Sequence, residues 1–182
     1  PLDTDNGFFK VNEFYQTSVP NIYAIGDVIP TTALAHVASR EGEIAVEHMA
    51  AGKFPEANGK LPEPIDYGLV PSCTYTHPEV ASFGMTEAQV KEKNIPHKVH
   101  SFPFQALGRA KVDDKENGFV KMIVSPDTLK ILGAHIFAFG ATEIIHEILT
   151  AASSGGTVDT IAHMVHAHPT LSESIMETSK GF

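Results

Sequence analysis

The order of apolar and polar residues predicts a strand and then a helix in the first part of the chain. Residues 22–25 are a continuous apolar run, which is typical of a strand buried on both faces of a parallel sheet. Over residues 33–51, apolar side chains recur at helical spacing, and Gly52 follows as a stop signal. The charged residues of this segment are predicted on the opposite, polar face: Arg40, Glu41, Glu43 and Glu47.

From residue 69 onwards the pattern changes to short strands followed by helices. Without βαβ alternation, this order predicts an α+β domain built on an antiparallel sheet. Ile144, Ile145, Ile148 and Leu149 form a helical stripe, for which burial in the core is favoured over an interface. Strands are predicted at residues 72–75, 80–83, 98–104, 118–124 and 129–137, and helices at residues 86–94, 141–153, 158–164 and 170–178.

Residues 53–68 separate the two parts. They are rich in proline, glycine and charge and show no periodicity, so they are predicted to be a linker. The expected organisation is a first domain at residues 1–52, a linker at 53–68 and a second domain at 69–182.

Composition narrows the classes of function. The 182-residue chain has a formal net charge of -9 and no basic run, which argues against nucleic acid or an anionic membrane surface as partner. No apolar stretch approaches the roughly 20 residues of a spanning helix. The single cysteine, Cys73, cannot form an internal disulfide and is expected to be a small buried side chain. A reducing, cytosol-like compartment is therefore expected, or the mitochondrial matrix in a eukaryote.

The segment at residues 166–173, HAHPTLSE, is the leading candidate for chemistry. Pro169 disfavours helix at His168, and Thr170 is a good N-cap, which predicts Glu173 in the first turn of a helix. The carboxylate of Glu173 then lies within reach of the imidazole of His168. Such a pair is the usual arrangement for moving a proton near neutral pH.

The same residues have two other interpretations. Thr170 and Glu173 also match a capping box, which requires no catalysis. His163, His166 and His168 could be metal ligands, although no cysteine or aspartate spacing completes a coordination set, so no metal site is expected. Capping and catalysis are compatible with each other.

A second candidate site follows the first predicted strand. Gly26 and Asp27 lie at its carboxyl end, where ligands approach open α/β sheets. The glycine permits close approach, and the carboxylate can accept hydrogen bonds from hydroxyl groups. The predicted helix that follows presents backbone N–H groups suited to negative charge.

The segment at residues 166–173 resembles the C-terminal signature of the pyridine nucleotide-disulfide oxidoreductases of class I, a family of flavoprotein disulfide reductases. The resemblance continues through residues 22–27, 34–36, 75–81, 109–111 and 132–135, and so covers nearly the whole chain. It implies the C-terminal end of an α/β FAD-binding domain, followed by an α+β dimerisation (interface) domain. It also implies that His168 is the acid/base, that Glu173 orients it, that Asp27 binds the ribityl chain of FAD, and that Leu34, Ala35 and His36 lie near the flavin.

The implied activity is FAD- and NAD-dependent oxidation of a dithiol such as dihydrolipoamide. The redox cysteine pair and the glycine-rich dinucleotide motif of the family do not occur in the sequence, so the chain is expected to be the C-terminal part of a longer enzyme and inactive alone. FAD would have a partial site here, and NAD none. The resemblance further implies a homodimer and docking to the subunit-binding domain of an acyltransferase core of a 2-oxo acid dehydrogenase complex. Alternatives are an inactive dimerisation module and a glutathione- or mercuric-reductase-like enzyme.

Overall fold

A computed structural model describes residues 1–53 and 61–182. The chain divides into two units, Pro1–Tyr67 and Gly68–Phe182. The strands are β1 (Thr4–Asp5), β2 (Phe8–Phe9), β3 (Ser72–Thr74), β4 (Glu79–Gly84), β5 (Lys98–Pro103), β6 (Phe119–Val124) and β7 (Ile131–Ala138), and the α-helices are α1 (Ala35–Lys53), α2 (Glu87–Glu92), α3 (Gly108–Val112), α4 (Ala141–Ser153), α5 (Val158–Ala162) and α6 (Glu173–Ser179).

The first unit is built around α1. The strands β1 and β2 form a hairpin, and a 3-10 turn at Gly26–Val28 packs against α1. Its core is apolar and is formed by Tyr15, Ala24, Ile29, Ile44 and Ala45. Helix α1 begins at Ala35 and continues through Lys53, so the predicted stop at Gly52 is wrong.

The strand predicted at residues 22–25 is also wrong. Only an isolated bridge joins Tyr23 to Gln16, and Ile22 and Ile25 are 40% and 39% exposed. A strand buried on two faces requires hydrogen-bonded neighbours on both edges. The described residues of this unit supply no such neighbours, so the segment lies outside any sheet.

The predicted linker falls partly outside the described residues, at positions 54–60. Within its described part, Ile65 packs against the core of the first unit and Tyr67 bonds to Glu41. These residues therefore contribute to a packed unit. The assignment of residues 53–68 as a linker, and of domains at 1–52 and 69–182, remains a proposal.

The second unit is an α+β fold, as predicted. Its five strands form one antiparallel sheet in the order β3-β4-β7-β6-β5. Helix α4 packs against β4 and β7, while α6 packs against β5, β6 and α5. Alternate side chains of the central strands, such as Val120, Met122 and Ile136, are buried together with Ile145 and Ile175 of these helices.

The predicted helical stripe on α4 is confirmed as core. Ile145 and Ile148 are fully buried, and Ile144 and Leu149 pack partly buried against the same cluster. Cys73 also packs partly buried against it, and burial raises the pKa of its thiol. No helix in the described ranges has both the length and the apolar character required to cross a membrane.

Candidate functional site

The central feature of the second unit is a contact between His168 and Glu173. Nδ1 of His168 lies 2.8 Å from Oε1 of Glu173, and Oε2 of the same carboxylate accepts the backbone N–H of Thr170 at 2.9 Å. The His168 side chain is 76% exposed and that of Glu173 is 15% exposed. One carboxylate therefore holds an exposed imidazole and also closes the turn that leads into α6.

The predicted N-cap at Thr170 is wrong. Helix α6 begins at Glu173, and its N-cap, Ser172, makes no side-chain capping bond. The Thr170 hydroxyl instead donates to the carbonyl oxygen of Ala167 at 2.8 Å. Only the Glu173 half of the capping box is therefore formed. The intervening residues make a turn in which Leu171 accepts the N–H of Ser174.

The surroundings of Glu173 keep it ionised. The N–H of Thr170, and then the contact with His168, lower the pKa of this carboxyl group. A carboxylate only accepts hydrogen bonds, so the proton of a neutral His168 ring lies on Nδ1. Nε2 then retains its lone pair, and on an exposed ring it is the atom that can accept a proton.

The structure does not bring three histidines together as metal ligands. Nδ1 of His163 bonds to the carbonyl oxygen of Asp159 at 2.9 Å, and Nε2 of His166 lies 2.7 Å from Oε1 of Glu147. Across residues 1–53 and 61–182, no group of three or more histidine, cysteine, aspartate or glutamate side chains could hold a metal ion.

The pair of His166 and Glu147 was missed by the sequence analysis. The side chain of His166 is 3% exposed, and its Nδ1 bonds to the carbonyl oxygen of Met164 at 3.1 Å. Glu147 lies in α4, so this contact ties the segment before α6 to another helix. A spacing of nineteen residues within the sequence carries no local signal for such a pair.

Two glycines also lie close to residues 166–173, called the signature segment below. A Cβ atom at Gly108 would lie 3.9 Å from Cε1 of His168, so the start of α3 borders the imidazole. Helix α3 was not predicted, because its five residues are too few to show a periodic pattern. Gly140, at φ +73, is next to Leu171, and a Cβ there would lie 2.9 Å from Cδ1 of that leucine.

The predicted cofactor residues lie in the first unit. Asp27 is exposed in the 3-10 turn, and Gly26 has a φ of +69, with a Cβ there lying 3.3 Å from Cβ of Ala38. Leu34 is half-buried and accepts the N–H of Ala38 at 3.0 Å, while Ala35 and His36 are exposed in the first turn of α1. The structure thus places the turn against α1, with residues 34–36 at the start of that helix.

Glu41 was predicted on the polar face of α1, and this prediction is wrong. The residue is 0% exposed and accepts three hydrogen bonds, from the N–H of Gly26 at 2.7 Å, from the hydroxyl of Thr31 at 2.7 Å and from the hydroxyl of Tyr67 at 3.0 Å. Its position between Val37 and Ile44 continues the buried helical stripe, which is the signal that could have located it.

Sequence comparison finds relatives along almost the entire chain. The dihydrolipoyl dehydrogenase of Canis lupus familiaris mitochondria is 47% identical over 173 residues, covering 95% of this chain and 32% of the relative. That of Bos taurus is 47% identical over 178 residues, covering 98% and 33%, and that of Pisum sativum is 46% identical over 179 residues, covering 98% and 34%. The chain spans about a third of the length of these relatives.

Solved structures share the fold. The LpdA protein of Mycobacterium tuberculosis matches with a TM-score of 0.84 at 28% identity, covering 96% of this chain and 36% of that protein. The HOCl-induced flavoprotein disulfide reductase RclA of Escherichia coli matches with a TM-score of 0.84 at 24% identity, covering 98% and 40%, which supports the fold alone.

Family models account for both units. The pyridine nucleotide-disulphide oxidoreductase dimerisation domain matches residues 70–179, and the pyridine nucleotide-disulphide oxidoreductase model matches residues 2–42. The first of these alone covers more than half of the chain. The chain therefore belongs to the pyridine nucleotide-disulphide oxidoreductase family, as a dihydrolipoyl dehydrogenase-like C-terminal region that consists of a dimerisation domain and a fragment of the FAD domain.

Proposed function

We propose that this chain is the C-terminal part of an FAD-dependent dihydrolipoamide:NAD oxidoreductase and that its His168 is the acid/base. The observation that supports this role best is the 2.8 Å contact between Nδ1 of His168 and the carboxylate of Glu173, on an imidazole that is 76% exposed. The names of the relatives, dihydrolipoyl dehydrogenases, support the choice of substrate.

The step assigned to His168 is a proton transfer. Nε2 accepts the proton of a substrate thiol: the S–H bond breaks, an N–H bond forms, and the electron pair remains on sulfur as a thiolate. The ionised Glu173 stabilises the resulting imidazolium through Nδ1. This step is needed because the thiolate is the nucleophile in thiol–disulfide exchange, whereas a free thiol at neutral pH is mostly protonated.

The thiolate then attacks a disulfide. A new S–S bond forms to one sulfur, the old S–S bond breaks, and the second sulfur leaves as a thiolate. The chain has one cysteine, Cys73, so we propose that this disulfide comes from a pair of cysteines elsewhere in the enzyme. The imidazolium of His168 returns its proton to this departing thiolate, which leaves a mixed disulfide between substrate and enzyme. The second thiol of the substrate then gives its proton to His168 and attacks the substrate sulfur of the mixed disulfide: the substrate S–S bond forms, the S–S bond to the enzyme breaks, and the other enzyme sulfur leaves as a thiolate that takes up the proton.

The residues of the first unit fit part of an FAD site. Asp27 is an exposed acceptor for hydroxyl groups, and the left-handed Gly26 lets the turn lie close to α1. We propose that Asp27 binds the ribityl hydroxyls and that Leu34, Ala35 and His36 lie near the flavin. FAD, when bound, supplies two-electron transfer between the disulfide and a nicotinamide. No residue of this chain is proposed to bind NAD.

The second unit supports a homodimer, since its family model is a dimerisation domain. We propose a two-fold dimer in which His168 and Glu173 of one subunit complete the site of the other. A protein partner, the subunit-binding domain of an acyltransferase core, is proposed on the resemblance alone. The relatives are mitochondrial by name, which supports the mitochondrial matrix as the compartment in a eukaryotic source.

A second candidate is a dimerisation and interaction module without turnover of its own. One observation favours it: burial raises the pKa of Cys73, the chain's one thiol, and so makes it a poor nucleophile. A purified chain without flavin colour that still forms dimers would favour this candidate.

The experiment that tests the leading proposal separates the two half-reactions of the full-length enzyme. In His168→Gln, reduction by the dithiol should slow by about 10²–10⁴-fold, the range of general acid–base catalysis. Reduction by NADH, which does not use the dithiol, should remain nearly unchanged. Equal loss in both half-reactions would contradict the assignment of His168.

A further inference from the structure

Glu41 is the one fully buried carboxylate among the described residues, and the reaction proposed above does not use it. Burial of a carboxylate is costly unless hydrogen bonds replace its water. All its described donors lie in the first unit: the N–H of Gly26 on Oε2, and the hydroxyls of Thr31 and Tyr67 on Oε1. Burial raises the pKa of Tyr67, which keeps that hydroxyl a donor.

The bond to Gly26 differs from the other two because its donor is backbone. Gly26 is in the left-handed region at φ +69, and its carbonyl oxygen accepts the N–H of Ile29 at 3.0 Å. Both backbone polar groups of Gly26 are thus held, one by the buried carboxylate and one by the 3-10 turn. The next residue is Asp27, whose side chain is exposed.

We infer that Glu41 is a positioning residue that fixes the Gly26–Asp27 turn so that the carboxylate of Asp27 faces the hydroxyl groups of the flavin cofactor. This inference rests on the proposed function of Asp27. Glu41 itself does not touch the cofactor in this scheme. It acts through the backbone N–H of Gly26 on Oε2, while the hydroxyls of Thr31 and Tyr67 supply hydrogen bonds to the other oxygen, Oε1, in place of water.

The test uses the full-length enzyme and two readouts. The first is the Kd of FAD for the apoenzyme, measured by quenching of flavin fluorescence. The second is hydrogen exchange of a peptide that contains Gly26 and Asp27, followed by mass spectrometry without FAD. Glu41→Leu should weaken FAD binding by about 10- to 100-fold, as expected for loss of a hydrogen bond to a charged group, and should speed exchange at Gly26.

Two further variants separate positioning from general stability. Thr31→Val removes one donor to Oε1 but leaves the bond to Gly26, so FAD affinity and exchange at Gly26 should stay within about twofold even if the melting temperature falls. Glu41→Gln can keep its oxygen on the N–H of Gly26 while its amide donates to the two hydroxyls, and it should restore most of the affinity. This conservative variant also serves if Glu41→Leu does not fold.

The outcomes are distinct. Unchanged FAD affinity and unchanged exchange in Glu41→Leu would overturn the inference, and so would equal losses in Thr31→Val and Glu41→Leu. If Glu41→Leu does not fold, the test compares Thr31→Val with Glu41→Gln. Thr31→Val keeps the carboxylate of Glu41 on the N–H of Gly26, so faster exchange at Gly26 in Thr31→Val than in Glu41→Gln would overturn the inference. Asp27→Ala is the separate arm: if it binds FAD normally, the proposed role of Asp27 fails, whatever Glu41 does.

Discussion

His166 and His168 are two residues apart in the chain, yet the side chain of His166 is 3% exposed and that of His168 is 76% exposed. Each ring contacts a glutamate, at 2.7 Å and 2.8 Å, but the glutamates belong to different helices: Glu147 to α4 and Glu173 to α6. The contact of His166 with Glu147 ties the segment to α4. The contact of His168 with Glu173 leaves an imidazole nitrogen available to a substrate.

The contact between His166 and Glu147 should contribute measurably to stability. Glu147→Ala leaves Nε2 of the buried His166 without its partner, which should lower the free energy of unfolding by about 1–3 kcal/mol. Glu143→Ala, in the first turn of the same helix, is the control, because Glu143 is exposed and should cost about 0.5 kcal/mol or less. Urea denaturation of both variants measures the difference, and equal losses would contradict an anchoring role.

The contacts of Glu173 should make stability depend on pH. The pKa of Glu173 is lowered in the folded state from its ordinary value of 4.5, so the folded protein prefers the ionised form. The resulting stabilisation is complete above the ordinary value and is lost as the pH falls through the lower, folded-state pKa. The stability of the wild type relative to Glu173→Gln should therefore shrink below pH 4.5. A difference that stays constant from about pH 7 to about pH 3 would contradict this assignment.

Gly140 should be intolerant of a side chain for two separate reasons. Alanine there meets left-handed backbone, at φ +73, and would also place Cβ against Leu171 of the signature segment. Gly155 is the matched control, since it has a φ of +76 but no atom within 4 Å of its Cβ position. Gly155→Ala should cost about 1–2 kcal/mol from conformation alone. Gly140→Ala should cost about 1–3 kcal/mol more, because the added atom overpacks the site. Equal melting temperatures for Gly140→Ala and Gly155→Ala would contradict a steric contact between the added Cβ and Leu171.

Local sequence patterns predicted most of the strands and helices of the second unit. Alternation predicted the strands, and the predicted helix at residues 141–153 coincides with α4, whose stripe of isoleucines is buried. The helix predicted at residues 86–94 is present as α2, which begins at Glu87 after a capping box formed by Thr86 and Gln89. These elements follow from spacing because their sheet and its covering helices lie within one continuous stretch of sequence.

Long-range contacts explain what the patterns could not show. The burial of Glu41 depends on hydrogen bonds from Thr31, Gly26 and Tyr67. These residues lie outside α1, so the order of charged residues along the helix does not predict the contacts. The same is true of His166, whose partner Glu147 is in another helix. At the signature segment, spacing predicted that Glu173 would reach His168, but it placed the start of α6 too early because the turn at residues 171–172 has no distinctive residue type.

The pH dependence of kcat/KM for the dithiol tests the central proposal, the role of His168, most directly. His168 must be neutral to accept a proton, so the profile of the full-length wild type should fall on the acid side of one ionisation. This ionisation should be absent in His168→Gln, and the profile of Glu173→Gln should differ from that of the wild type, because the imidazolium loses its anionic partner. If both variants keep the wild-type profile, the proton is carried by another group and the contact between His168 and Glu173 serves only the fold.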